Sequence, residues 1–166
     1  MPEWGVLAVL LLTSCAGSAF PRPTVPSRIE IAETGCFGLC PVYEVSIDKA
    51  GGVAYNGRQY VAVVGERTLT ISPSSYDAIA RLLEAWRPTR PGATSVGFGF
   101  GPKLFPCDDY ATDGGELIIT WFDTDGSRRL VVDRGCRSPQ SITFKTKVRE
   151  ALALLPSAEW SAQQDR

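Results

Sequence analysis

The residues best equipped for chemistry are Cys36 and Cys40, in the stretch TGCFGLCPVYEV at positions 34–45. Two cysteines with three residues between them and Pro41 behind them could form a redox dithiol, a metal clip or a structural disulfide. A thioredoxin-type redox pair has two intervening residues and sits at a helix N-terminus, which lowers the thiolate pKa. Here three residues intervene, and the pattern that follows is that of a strand. A four-cysteine zinc site would want closer pairs, and it competes with oxidation in any exported chain. The favoured reading is a disulfide that pins the entry to the strand.

The C-x-x-x-C-P spacing is similar to the motif of Sco copper chaperones. Those need a distant histidine as a further ligand, and this chain has no histidine at all. The same absence excludes histidine acid–base catalysis, histidine-ligated zinc or copper, and Ser-His or Cys-His nucleophiles. No cofactor is expected. One acidic cluster remains, Asp108, Asp109, Asp113 and Glu116. Paired carboxylates can serve glycoside hydrolysis or gather a cation, which keeps a small envelope hydrolase as the alternative function. Exposed loop carboxylates are the commoner outcome, and the chain is expected not to be an enzyme. DTDG at 123–126 resembles the start of a calcium loop, but the twelfth position holds Arg134 where a glutamate is needed, so it reads as a hairpin turn. GFGFG at 97–101 lacks the Lys-Ser/Thr of a phosphate loop.

The compartment follows from the first fifteen residues. Gly5 to Leu12 (GVLAVLLL) is too short to span a bilayer, which takes roughly 20 residues. It has the length of a signal-peptide apolar region. It ends in Leu12-Thr13-Ser14-Cys15, which resembles a lipobox, so lipidation at Cys15 is expected, with residues 1–14 as the signal peptide. The leading MPEW carries Glu3 and no Lys or Arg, so the usual positive charge is missing, from a weak signal or a late start. Residues 15–28 hold three prolines and read as a tether, reaching roughly 40 Å at about 3.1 Å per residue. The expected address is the outer membrane, lipid-anchored and facing the periplasm. Without the signal, 17 basic residues balance the acidic ones left after Glu3 is removed. A neutral chain carries no electrostatic footprint for nucleic acid.

The rest of the chain supplies the elements. From Val42, apolar and polar residues alternate, DKAGG turns the chain at 48–52, and VAYNG follows as the return strand. Arg67–Ile71 is a further strand. Ser72-Pro73 is a helix start, a cap residue followed by proline, and Tyr76, Ile79, Ala80, Leu83 and Trp86 then fall at helical spacing. A long Gly/Pro-rich loop is expected over 87–106. Leu117–Phe122 and Arg129–Asp133 flank DTDG as a second hairpin, and Ser138-Pro139 opens a second helix. The expected fold is α+β: one domain over 29–156, antiparallel hairpins packed against two helices, compatible with a diverged β-β-α repeat, with 157–166 as a tail. Four cysteines allow three pairings. Cys36–Cys40 and Cys107–Cys136 are expected, because Cys107 precedes and Cys136 follows the second hairpin, whose turn brings its two ends together.

Ile118, Phe122 and Val131 lie on the face of that hairpin opposite Leu117, Ile119 and Trp121. A strand apolar on both sides needs cover on both sides. The loop bearing Phe98, Phe100 and Phe105 is the expected cover. If it does not reach, the three residues form an apolar patch for an envelope partner.

The stretch GCFGLCPVYEVSIDKAGGVAYNG resembles the signature of a bacterial family of domains of unknown function, the one numbered 6438. Its members share C-F-G-x-C-P-x-Y, filled here by Cys36, Phe37, Gly38, Cys40, Pro41 and Tyr43, and then a strand, a Gly turn and a strand. The resemblance covers about residues 28–155 and includes Thr112-Asp113. It implies an exported protein or lipoprotein, and it implies no activity.

Overall fold

The computed structural model describes residue 1, residues 25–97 and residues 102–164. Cys15, most of the expected tether, Phe98 and Phe100 lie outside the described residues. Seven strands form one sheet in the order β4-β3-β2-β1-β6-β7-β5. These are β1 (Arg28–Glu33), β2 (Val42–Asp48), β3 (Gly52–Gln59), β4 (Gly65–Thr70), β5 (Gly92–Val96), β6 (Glu116–Asp123) and β7 (Gly126–Asp133). Helices α1 (Pro73–Leu83) and α2 (Pro139–Ala153) pack side by side. The fold is α+β, as the sequence implies.

The two hairpins form where their turn chemistry puts them. In the first, Asp48 Oδ1 accepts from the backbone N–H of Ala50 and Gly52 at 2.8 and 3.0 Å, a local bond that folds the chain back. Gly51 has φ +99°, and a Cβ there would come 2.1 Å from the Ile71 carbonyl oxygen, so glycine is required. Both helices start as expected: Ser72 and Ser138 cap Ser75 and Ser141 from their side chains, with proline next in line. The α-helix over 73–86 stops at Leu83 and tightens into a 3-10 turn at Glu84–Trp86.

Four expectations need correction. The tether does not run to residue 28: Pro26 is buried and accepts from Tyr76 Oη, while Ser27 donates its N–H to Phe122 O at 2.8 Å. Arg28–Glu33 is a strand and is central, lying between β2 and β6. The region 87–106 is not all loop, because Gly92–Val96 pairs parallel with β7, which makes the sheet mixed rather than purely antiparallel. The chain between these parallel partners is long, as parallel pairing requires, and includes β6, while the α1 segment carries the chain from edge strand β4 to edge strand β5. Finally, residues 157–164 are packed. Trp160 meets the Tyr55 ring edge-on at 5.5 Å, Tyr55 Oη lies 2.8 Å from Trp160 O, and Val61 bridges to Gln163. The two β-β-α units are also unequal, since only the first has a strand (β4) between its hairpin and its helix.

The core fills one side of the sheet. Ile29 and Ile31, Val45 and Ile47, Ile119 and Trp121, and Leu130 and Val132 point to the helices and are almost wholly buried against Tyr76, Ile79, Leu83, Phe144 and Val148. Burial of this kind is worth about 1.5–3 kcal/mol per large apolar side chain.

Candidate functional site

Strand alternation sends every second residue to the side away from the helices. Registers align Ala32 with Ile118 and Ile118 with Val131, so these three share that face. Phe122 is aligned with Arg28, whose guanidinium stacks 3.9 Å from the ring centroid. Ile118 is buried by its neighbours, whereas Phe122 and Val131 are half-buried.

The expected cover does not arrive through Phe105. That ring meets Trp86 edge-on at 5.8 Å, and Trp86 in turn meets Phe144 of α2 at 5.4 Å. Phe105 therefore belongs to the helix side. The face away from the helices carries a groove of about 350 Å³. Its floor includes Ala32, Ile118 and Thr120, while Glu30 and Glu44 bring negative charge to it and Arg58 and Arg129 positive charge. Partial burial in this groove raises the Glu30 carboxyl pKa; Arg28, 3.3 Å away, opposes the rise and Glu44 adds to it. The arrangement can hold a partner segment that offers an apolar centre and charges of both signs.

A second set of features gathers where β1 ends and β6 begins. The disulfides Cys36–Cys40 and Cys107–Cys136 are formed, with Cα separations of 5.6 and 5.7 Å. Phe37, inside the first, is 93 % exposed, and its N–H donates to Asp113 O at 3.2 Å. Gly115, at φ +68°, lets this loop and β1 approach closely, since a Cβ there would sit 2.7 Å from Gly35 O. Asp108, Asp109, Asp113 and Glu116 are all exposed, and none lines the groove. Among the described residues no three metal-ligating side chains come together, and no helix is long and apolar enough to cross a membrane. At the same end, Tyr43 Oη donates to Glu33 Oε1 at 3.0 Å, and Glu33 Oε2 pairs with Arg134 at 2.9 Å. Burial and the Glu33 charge push the Tyr43 phenol well above its ordinary value.

The family model of a domain of unknown function, DUF6438, matches residues 27–152. The chain belongs to this family. The match begins at Ser27, where the chain joins the sheet, and ends near the end of α2, so the DUF6438 domain is the sheet with both helices. No curated protein matches the chain.

The sequence reading missed Ala32, Arg58 and Arg129 as groove residues. The available signal was their outward phase in alternating strands, but which outward residues become neighbours depends on the strand order. The DTDG turn also holds more than a turn. Asp123 is buried and pairs with Arg128 at 2.6 Å and with Arg87, and Arg128 forks onto Asp125 at 2.7 and 2.8 Å.

Proposed function

We propose that this DUF6438 protein is a non-catalytic binding module of the cell envelope, anchored by lipid on Cys15 to the outer membrane and facing the periplasm. The observation that carries the binding role is the groove on the sheet face away from the helices. Antiparallel sheets can leave one face to water, and that alone needs no apolar floor. Here Ile118 and Ala32 form one between charged walls. Concave sites with an apolar base and a few placed charges are the usual shape of binding sites. The four carboxylates that would support a hydrolase lie outside this groove, and for that reason binding is preferred over hydrolysis.

The anchor is tested by intact mass of protein purified from membranes. A chain starting at Cys15 with acyl groups attached is expected; a chain starting after residue 15, or retaining Met1 without lipid, rejects the anchor. The binding face is tested with a photocrosslinking residue at Thr120, on the groove floor, and a control at Glu150, exposed on α2. An adduct specific to position 120 in envelope preparations is expected. Equal adducts at both positions, or none at 120, would count against the open face.

A further inference from the structure

A second cavity of about 350 Å³ lies on the helix side, along one flank of α2. Ile142, Lys145, Arg149 and Leu152 line it from the helix at spacings of three, four and three residues, one continuous stripe on a helix surface. Leu117 and Val148 form its apolar wall, and Arg134 and Glu33 close the end beneath β7. Its volume lies near the lower bound of small-ligand sites, which begin at roughly 300 Å³.

The charges in it do not balance. Glu33 is engaged by Tyr43 Oη and by Arg134. Lys145 donates to the carbonyl oxygens of Arg134 and Cys136 at 3.1 and 2.7 Å, and Arg149 to Thr146 Oγ1 at 3.3 Å. Among the described residues neither has a carboxylate partner. A partly buried ammonium whose hydrogen bonds go only to carbonyl oxygens is weakly compensated; burial and the neighbouring arginines lower the Lys145 pKa, and the Asp133 charge only partly opposes them. A purely structural role, stapling α2 to the loop after β7, accounts for Lys145. It does not account for Arg149, nor for Ile142 standing 53 % exposed on the same cavity lining as Val148 and Leu152.

We propose that this cavity binds an amphipathic anion: a short acyl or aromatic group lying against Ile142, Val148 and Leu152, with a carboxylate or phosphate held by Lys145 and Arg149. Charge-assisted bonds to a guanidinium and an ammonium give such a head group both hold and orientation. The site lies on the helix side of the sheet and shares only Glu33 with the groove on the other face, and binding at each is measured separately.

The test uses the oxidised full chain with Cys15→Ser, so that no acyl chain of its own competes. Octanoate, octyl phosphate, octan-1-ol, octyltrimethylammonium and inorganic phosphate are titrated separately, followed by backbone amide NMR. Saturable shifts over residues 142–152 are expected with octanoate and octyl phosphate, at least tenfold tighter than with the alcohol or the ammonium amphiphile. Inorganic phosphate should bind more weakly than octyl phosphate, and the tighter of the two anionic amphiphiles identifies the head group. Arg149→Glu and Ile142→Asp alter exposed positions, leave the fold intact, and should each weaken both anions about tenfold or more. Equal affinity for octan-1-ol, shifts centred elsewhere, or indifference to Arg149→Glu would overturn the proposal.

Discussion

Replacing Cys107 and Cys136 together with alanine is expected to lower the unfolding free energy by about 3–4 kcal/mol. The disulfide closes a loop of 28 intervening residues, and removing that constraint restores conformational freedom to the unfolded chain. The folded state suffers too. Residues 108–115 are held against the turn after β7 by three backbone bonds: Ala111 N–H to Gly135 O, Arg137 N–H to Asp109 O, and Arg134 N–H to Gly115 O. These bonds join segments that only the disulfide ties covalently at this point. Denaturant unfolding of the purified variant, compared with the oxidised parent, measures the loss. The Cys36–Cys40 link spans three residues, and its removal should cost clearly less, because short loops cost little entropy to close. A Cys107/Cys136 variant within about 1 kcal/mol of the parent would show that other contacts hold the 107–116 segment.

The second large effect concerns Asp123. Its side chain is 1 % exposed and sits between Arg87, which follows the 3-10 turn after α1, and Arg128 on β7. The network ties the α1 crossover to the tip of the second hairpin. Breaking a buried ion pair by removing one partner typically costs about 3–5 kcal/mol, since the other charge stays buried without compensation. Here each arginine has a second carboxylate, Glu84 for Arg87 and Asp125 for Arg128. Asp123→Ala is therefore expected at the lower end, about 3 kcal/mol, measured by urea denaturation near neutral pH. The triple change Asp123→Leu, Arg87→Met and Arg128→Met should recover most of that loss, because it removes the buried charges together. A loss below about 1 kcal/mol for Asp123→Ala would mean that water reaches the network.

Much of this fold is legible wherever one local signal decides the structure. Asp48 and the glycines of DKAGG, the DTDG turn, and the two Ser-Pro starts each act over a few residues. The Cys107–Cys136 pair follows from a hairpin alone. The missed elements depend on distant partners. RIEIAE alternates as a strand should, but it follows three prolines, and only pairing with β2 and β6 makes it the middle of the sheet. GATSV is short, small and flanked by glycine and proline; its strand character comes from lying parallel to β7. The packing of Trp160 needs Tyr55, 105 positions away. The same limit applies to the groove, whose walls come from different strands: Glu30 from β1, Glu44 from β2, Arg58 from β3 and Arg129 from β7. Ile118, Phe122 and Val131 could be assigned to one face from the alternation alone, but the residues around them could not.

The most direct test of the binding account is Phe122→Asp, assayed together for crosslinking at Thr120 and for melting temperature. Phe122 is half-buried, and its ring is covered by the Arg28 guanidinium, a contact worth roughly 0.5–1 kcal/mol at exposed sites. An aspartate in its place keeps Arg28 compensated while putting a charge on the apolar part of the open face. The Thr120 adduct is expected to disappear while the melting temperature moves by only a few degrees, on the order of 1 kcal/mol. An unchanged adduct, or a collapse of stability by several kcal/mol that marks Phe122 as core, would contradict it.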